Sequence, residues 1–171
     1  MTRTSRVLLA AAALLALAGG AIGSASGAAN GSKRFEAQFQ ESNVLITNRI
    51  ADLGLFQLIN TGTGTVEGLG AATMVLAMSQ DRSVTPCGPG SWTNAGLRRI
   101  VVAGGVLILR NRAYVCQTPA GPVATGTWRV DGDSSTGIFA GARGRGTETV
   151  HIPTARSTLS GKIKLAHRDE G

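Results

Sequence analysis

The stretch Leu97–Gln117, LRRIVVAGGVLILRNRAYVCQ, decides how this chain folds. It is dominated by Val, Ile and Leu, side chains that suit the pleated surface of a sheet. Gly104–Gly105 interrupts it, and adjacent glycines supply the positive φ that a tight hairpin requires. The stretch therefore reads as strand, turn at Gly104–Gly105, strand, second turn at Asn111, and strand. Links this short permit only antiparallel pairing, because parallel neighbours need a crossover of a dozen residues or more.

The same grammar extends in both directions. Phe35, Ala37 and Phe39 alternate with Arg34, Glu36, Gln38 and Gln40, the period of a half-buried strand. Leu53, Leu55 and Ile59 suggest a second strand with Gln57 on the same face, followed by a turn-rich NTGTGT at Asn60–Thr65. Met74, Leu76 and Met78 alternate in a third that ends near Ser79–Asp81. Ser83–Gly96 reads as a loop around Cys87, and Pro119 and Pro122 mark another. Beyond it come a strand over Val123–Val130, a turn at Asp131–Ser135, and strands over Gly146–Ile152 and Leu159–His167. The expected domain is all-β: a single antiparallel barrel of about eight strands, closed so that no edge is exposed. A β-sandwich of two sheets fits the same pattern.

The N-terminus reads differently. Arg3 and Arg6 precede an unbroken apolar run, Val7–Ala18, and then a stretch of Gly, Ala and Ser. That is a secretory signal peptide, with an apolar core too short for the roughly 20 residues that span a bilayer. Residues 1–29 are assigned to the signal and 30–171 to the barrel domain, with cleavage expected between Ala25 and Ala29. No later apolar run is long enough to be transmembrane, so a secreted or wall-associated location is expected. Removing Arg3 and Arg6 takes two charges from the formal +7 and leaves +5. The remaining basic residues, among them Arg98, Arg99, Arg110, Arg129, Arg143 and Arg145, are scattered along the chain, as on a solvated surface. Anionic wall or surface polymers are the partners such a charge suggests. Nucleic acid is not, because aromatics interleaved with the basic residues are nearly absent.

Cys87 and Cys116 form the even count expected of a disulfide in an oxidising compartment. The loop they would close, about 30 residues, is worth about 3–4 kcal/mol by chain entropy. No His or Cys lies beside either to build a metal site. No cofactor motif is present: the glycines after Trp128 precede no helix and no Lys-Ser/Thr pair, so they cradle no phosphate.

Those glycines belong to Gly126–Gly146, GTWRVDGDSSTGIFAGARGRG, in which Trp128 reads as a plug for one end of the core and Phe139 as an apolar anchor after a turn. The segment Ser135–Gly144, with the preceding Gly126-x-Trp128, resembles the GTG-x-F-x-x-A-x-G signature of the allene oxide cyclase-like barrel superfamily, which includes dirigent proteins and small secreted bacterial proteins. Ser135 stands where the signature has its first Gly. The resemblance implies an eight-stranded antiparallel barrel with an interior cavity. Its members include cyclases and proteins that steer radical coupling, and no catalytic residue carries over.

Candidate chemistry is sparse. His151 shares a strand face with Thr147 and Thr149 and reads as solvent-facing; His167 sits at a fraying end. Tyr114 shares a face with Arg112 and Cys116 and reads as packing beside the disulfide. Glu41 continues the Phe35–Phe39 face and Glu148 shares one with Val150 and Ile152, which makes them the candidate proton donors or acceptors if those faces line a cavity. The pattern places both at the barrel rim, in water. The function expected is a secreted barrel that holds a small apolar or aromatic ligand. A cyclase- or isomerase-like enzyme and a structural or adhesive surface protein are the alternatives.

Overall fold

Along each strand, side chains alternate between a buried and a wetted face, and the buried faces point inward to a common axis. The structure, a computed structural model, describes residues 31–50 and 53–166. The signal assigned to residues 1–29 and the candidate His167 lie outside the described residues. Among the described residues nine strands follow in order: β1 (Lys33–Ile50), β2 (Leu55–Val66), β3 (Gly70–Asp81), β4 (Trp92–Val102), β5 (Gly105–Cys116), β6 (Val123–Val130), the two-residue β7 (Thr136–Gly137), β8 (Arg143–His151) and β9 (Arg156–Lys164). Neighbours run β4-β3-β2-β1-β9-β8-β6-β5, and β4 also pairs with β5, so eight antiparallel strands close into a barrel. β7 is a short addition that pairs with Gly105 and Val106. The barrel, rather than the sandwich, is the architecture. Among the described residues no helix is long and apolar enough to cross a membrane.

The hairpin at Gly104–Gly105 forms as read, with Gly104 at φ 96° and Val102 opposite Gly105. Asn111 is no turn. It lies inside an unbroken β5, opposite Gly96 on β4 and Trp128 on β6, with its side chain buried. The NTGTGT segment is likewise strand rather than turn, pairing with β1 and β3 throughout. The inner face of β2 carries Leu58, Asn60 and Val66, so Gln57 points outward, not into the core. The loop after β3 ends sooner than expected, since β4 begins at Trp92. Tyr114 is exposed on the outer face of β5.

One half of the interior is filled. Phe35, Phe39, Met74, Ile100, Leu107, Leu109, Phe139, Leu159 and Ile163 pack with Trp128, which is 1% exposed. The indole meets Phe35 edge-on, centroids 5.3 Å apart, and its Nε1 donates to the Thr147 carbonyl at 2.9 Å. It lies flat over Gly146 and Gly161, where an added Cβ would come within 2.6 Å of the ring. Ser135 has a role a glycine could not fill: its Oγ donates to the Asp131 carbonyl at 2.7 Å and accepts from Ile108 N–H at 3.0 Å. That pins the turn to β5 and seats Phe139 in the core. Cys87 and Cys116 are bridged, tying the loop before β4 to the end of β5.

Two register shifts in β1 against β2, between Ser42 and Val44 and between Ile46 and Asn48, bend the wall at the other end of the barrel. There the interior is open.

Gly161→Ala drives a methyl group into the Trp128 ring and into the backbone of β8. Urea unfolding should show a loss of about 1–3 kcal/mol, the usual result of overpacking.

Candidate functional site

On five strands, the first inward residue past the packed half is polar or charged. β1 supplies Glu41 after Phe39, β2 supplies Asn60, β4 supplies Arg98 next to Ile100, β5 supplies Asn111 after Leu109, and β8 supplies Glu148 after Gly146. Strand alternation aims all five at the axis. Arg98 is 0% exposed, Glu148 4% and Glu41 8%. The rim position read for the two glutamates is therefore wrong, as is the solvated-surface reading of Arg98. Both rested on treating charge as a marker of solvent, which fails where charges partner one another.

The contacts are specific. Arg98 Nη2 lies 3.0 Å from Glu148 Oε2 and 3.7 Å from Glu41 Oε1. Asn111 Nδ2 donates to Glu148 Oε2 at 2.7 Å, and Asn60 Nδ2 donates to Glu41 Oε2 at 3.0 Å. Glu41 Oε1, the Oδ1 atoms of Asn60, Asn94 and Asn111, and Arg98 Nε and Nη1 are buried with no hydrogen-bond partner within the protein. Each such group costs on the order of 1–3 kcal/mol. Two carboxylates face one guanidinium, and the cluster leaves both acceptors and Arg98 N–H donors unmet.

This cluster is the floor of a cavity of about 680 Å³. Its walls are apolar, including Phe56, Leu58, Leu76, Met78 and Val150, and Asn94 and Gln80 add polar groups partway up. At the mouth the Arg82 guanidinium sits over two rings, 4.8 Å from the centre of Phe56 and 5.0 Å from that of Trp92. The volume suits a small organic molecule. Chemically, the floor can accept hydrogen bonds from a hydroxyl or N–H group.

Of the residues singled out from sequence, Glu41 and Glu148 come together through Arg98, whereas His151 is exposed on the outer wall. Arg98, read as surface charge, and Asn60 and Asn111, read as turns, belong to the site instead. For Arg98 a signal existed: it holds an inward position of β4, two residues before Ile100 and four before Val102. Among the described residues no group of three or more His, Cys, Asp or Glu could hold a metal ion.

No protein-family model matches the chain, and neither does any curated protein. Among solved structures it is similar to the conserved protein of unknown function RPA1785 from Rhodopseudomonas palustris, at 12% identity and a TM-score of 0.47, over 78% of this chain and 98% of that one.

Removing the cation alone strands two buried carboxylates, so Arg98→Met should lower stability by about 3–5 kcal/mol. Combining it with Glu41→Gln and Glu148→Gln should restore most of that loss, because the excess charge goes with its partner. Urea denaturation of the parent, the single and the triple variant measures both.

Proposed function

We propose that this chain is an exported carrier that holds a small apolar or aromatic molecule in the open half of its barrel. The single observation behind it is the pairing of an apolar-walled cavity of about 680 Å³ with a floor of buried, unpartnered polar atoms. A floor built only for stability would favour apolar residues, since a buried ion pair is often matched or bettered by hydrophobic packing. Here the desolvation cost is retained, and so are unsatisfied acceptors that a ligand hydroxyl or N–H would fill. The ligand class follows: a ring or short hydrocarbon body against Leu58, Leu76 and Met78, with a donor group set against Glu41 and the asparagines. The resemblance of Gly126–Gly146 to the allene oxide cyclase-like barrels supports the same reading, as does the signal read at residues 1–29 for export.

One observation favours a second reading, a cyclase or isomerase. Glu41 lines the cavity, and its Oε1, 3.7 Å from Arg98 Nη2, accepts no hydrogen bond, the position of a group that moves a proton. The two readings part at Glu41→Gln, which abolishes proton transfer but leaves a cavity of the same size.

Native mass spectrometry of the secreted protein tests the carrier reading, which expects a bound small molecule that unfolding releases. In solution, N-phenyl-1-naphthylamine should brighten on binding. Ala113→Phe, which fills the cavity from β5, should weaken that binding by about tenfold or more while the thermal midpoint holds. Unchanged dye binding in this variant would place the dye elsewhere and remove the cavity from the argument.

A further inference from the structure

The basic residues that lie far apart in sequence are gathered by the sheet register. Arg110 on β5 is the direct cross-strand partner of Arg129 on β6, and Arg129 that of Arg145 on β8. Arg145 pairs with Lys162 on β9, and Lys162 with Arg34 on β1. Five outward-facing cations therefore stand in one unbroken row across five adjacent strands. With strands about 4.8 Å apart the row runs on the order of 20 Å around the barrel. Arg143 and Lys164 form a second paired row beside it on β8 and β9.

Like charges set directly opposite one another on a sheet destabilise it. The ends of the row are compensated: Arg34 contacts Glu36 at 3.2 Å and Glu67 at 4.0 Å, and Arg110 contacts Asp131 at 2.6 Å. The middle is not. Arg129, Arg143, Arg145, Lys162 and Lys164 have no acidic partner among the described residues. These five, with Ser32 and Gly144, line a surface cleft of about 520 Å³. The scattered surface charge read from the sequence is, in three dimensions, a concentrated patch.

We propose that this patch is a docking surface for an acidic polysaccharide, a linear chain with a carboxylate on each sugar. The row curves with the barrel wall, so a chain can follow it while a flat bilayer meets only a few strands. Its positions are all charged, without the apolar side chains that anchor a protein in a lipid interface. No aromatic residue interrupts them to stack on nucleic-acid bases. Arg forks match carboxylates in two-point geometry. The patch also flanks the sealed end of the barrel: Arg129, Arg145 and Lys162 directly follow or precede Trp128, Gly146 and Gly161, and none of the five lines the cavity. Docking there leaves the cavity mouth free, and the inference stands independently of what the cavity holds.

The test is binding of the protein to fluorescently labelled oligogalacturonate by anisotropy. Arg145→Glu with Lys162→Glu should weaken binding by about tenfold or more. Thr73→Glu, on β3 and diametrically opposite β8 in the closed barrel, adds a single exposed charge and should shift it by no more than about twofold. Raising salt from about 0.05 M to about 0.5 M should release the chain, since exposed charges are then screened. Circular dichroism shows whether each variant is folded. Equal loss in the far-side variant, or retention of the protein by vesicles rich in anionic phospholipid with none on oligogalacturonate, overturns the proposal.

Discussion

A guanidinium with no exposed surface stands between two carboxylates, and the layout of the barrel depends on it. Arg98 cannot be buried alone: the effective penalty is several kcal/mol per ion, and only close partners repay it. Glu148 at 3.0 Å and Glu41 at 3.7 Å are those partners, held in turn by Asn111 and Asn60. The layer divides the interior into two media. Below it the interior is an apolar core packed around Trp128; above it lies the cavity. A closed barrel makes this division workable. With β4 paired to β5 the sheet closes on itself, so most backbone groups along the staves pair with a neighbouring strand.

The seal depends on the absence of side chains as much as on their presence. Trp128 fits because Gly146 and Gly161, which are cross-strand partners on β8 and β9, clear a flat bed for the indole. Ser135 and Phe139 then lock the turn between β6 and β8 against the same end. One end of the molecule is thus rigid and charged outside, the other open and apolar inside.

Much of this could be read from residue order. The Phe35–Phe39 alternation, the Gly104–Gly105 hairpin, the cysteine pair and the burial of Trp128 are local signals, and each survives in the fold. The failures share one cause. Asn111, the NTGTGT segment and Arg98 carry residue types that favour turns or solvent, and propensity alone assigns them there. Their actual environment is set by partners remote in sequence: Glu148 for Asn111 and Arg98, and Glu41 for Asn60. In β2, apolar residues on both faces, such as Leu58 and Ile59, left the inward face undecided. The cationic row was invisible for the same reason, since each member is an isolated charge until the strands are laid side by side.

The two tryptophans occupy opposite ends of this divided interior. Trp128 is sealed under the core, while Trp92 lies at the mouth beneath the Arg82 guanidinium. The protein therefore carries its own pair of emitters, one in a dry, fixed setting and one where solutes enter. Light from Trp128 serves as the internal reference against which quenching or a colour shift at Trp92 is read, so events at the doorway can be followed without attaching any dye.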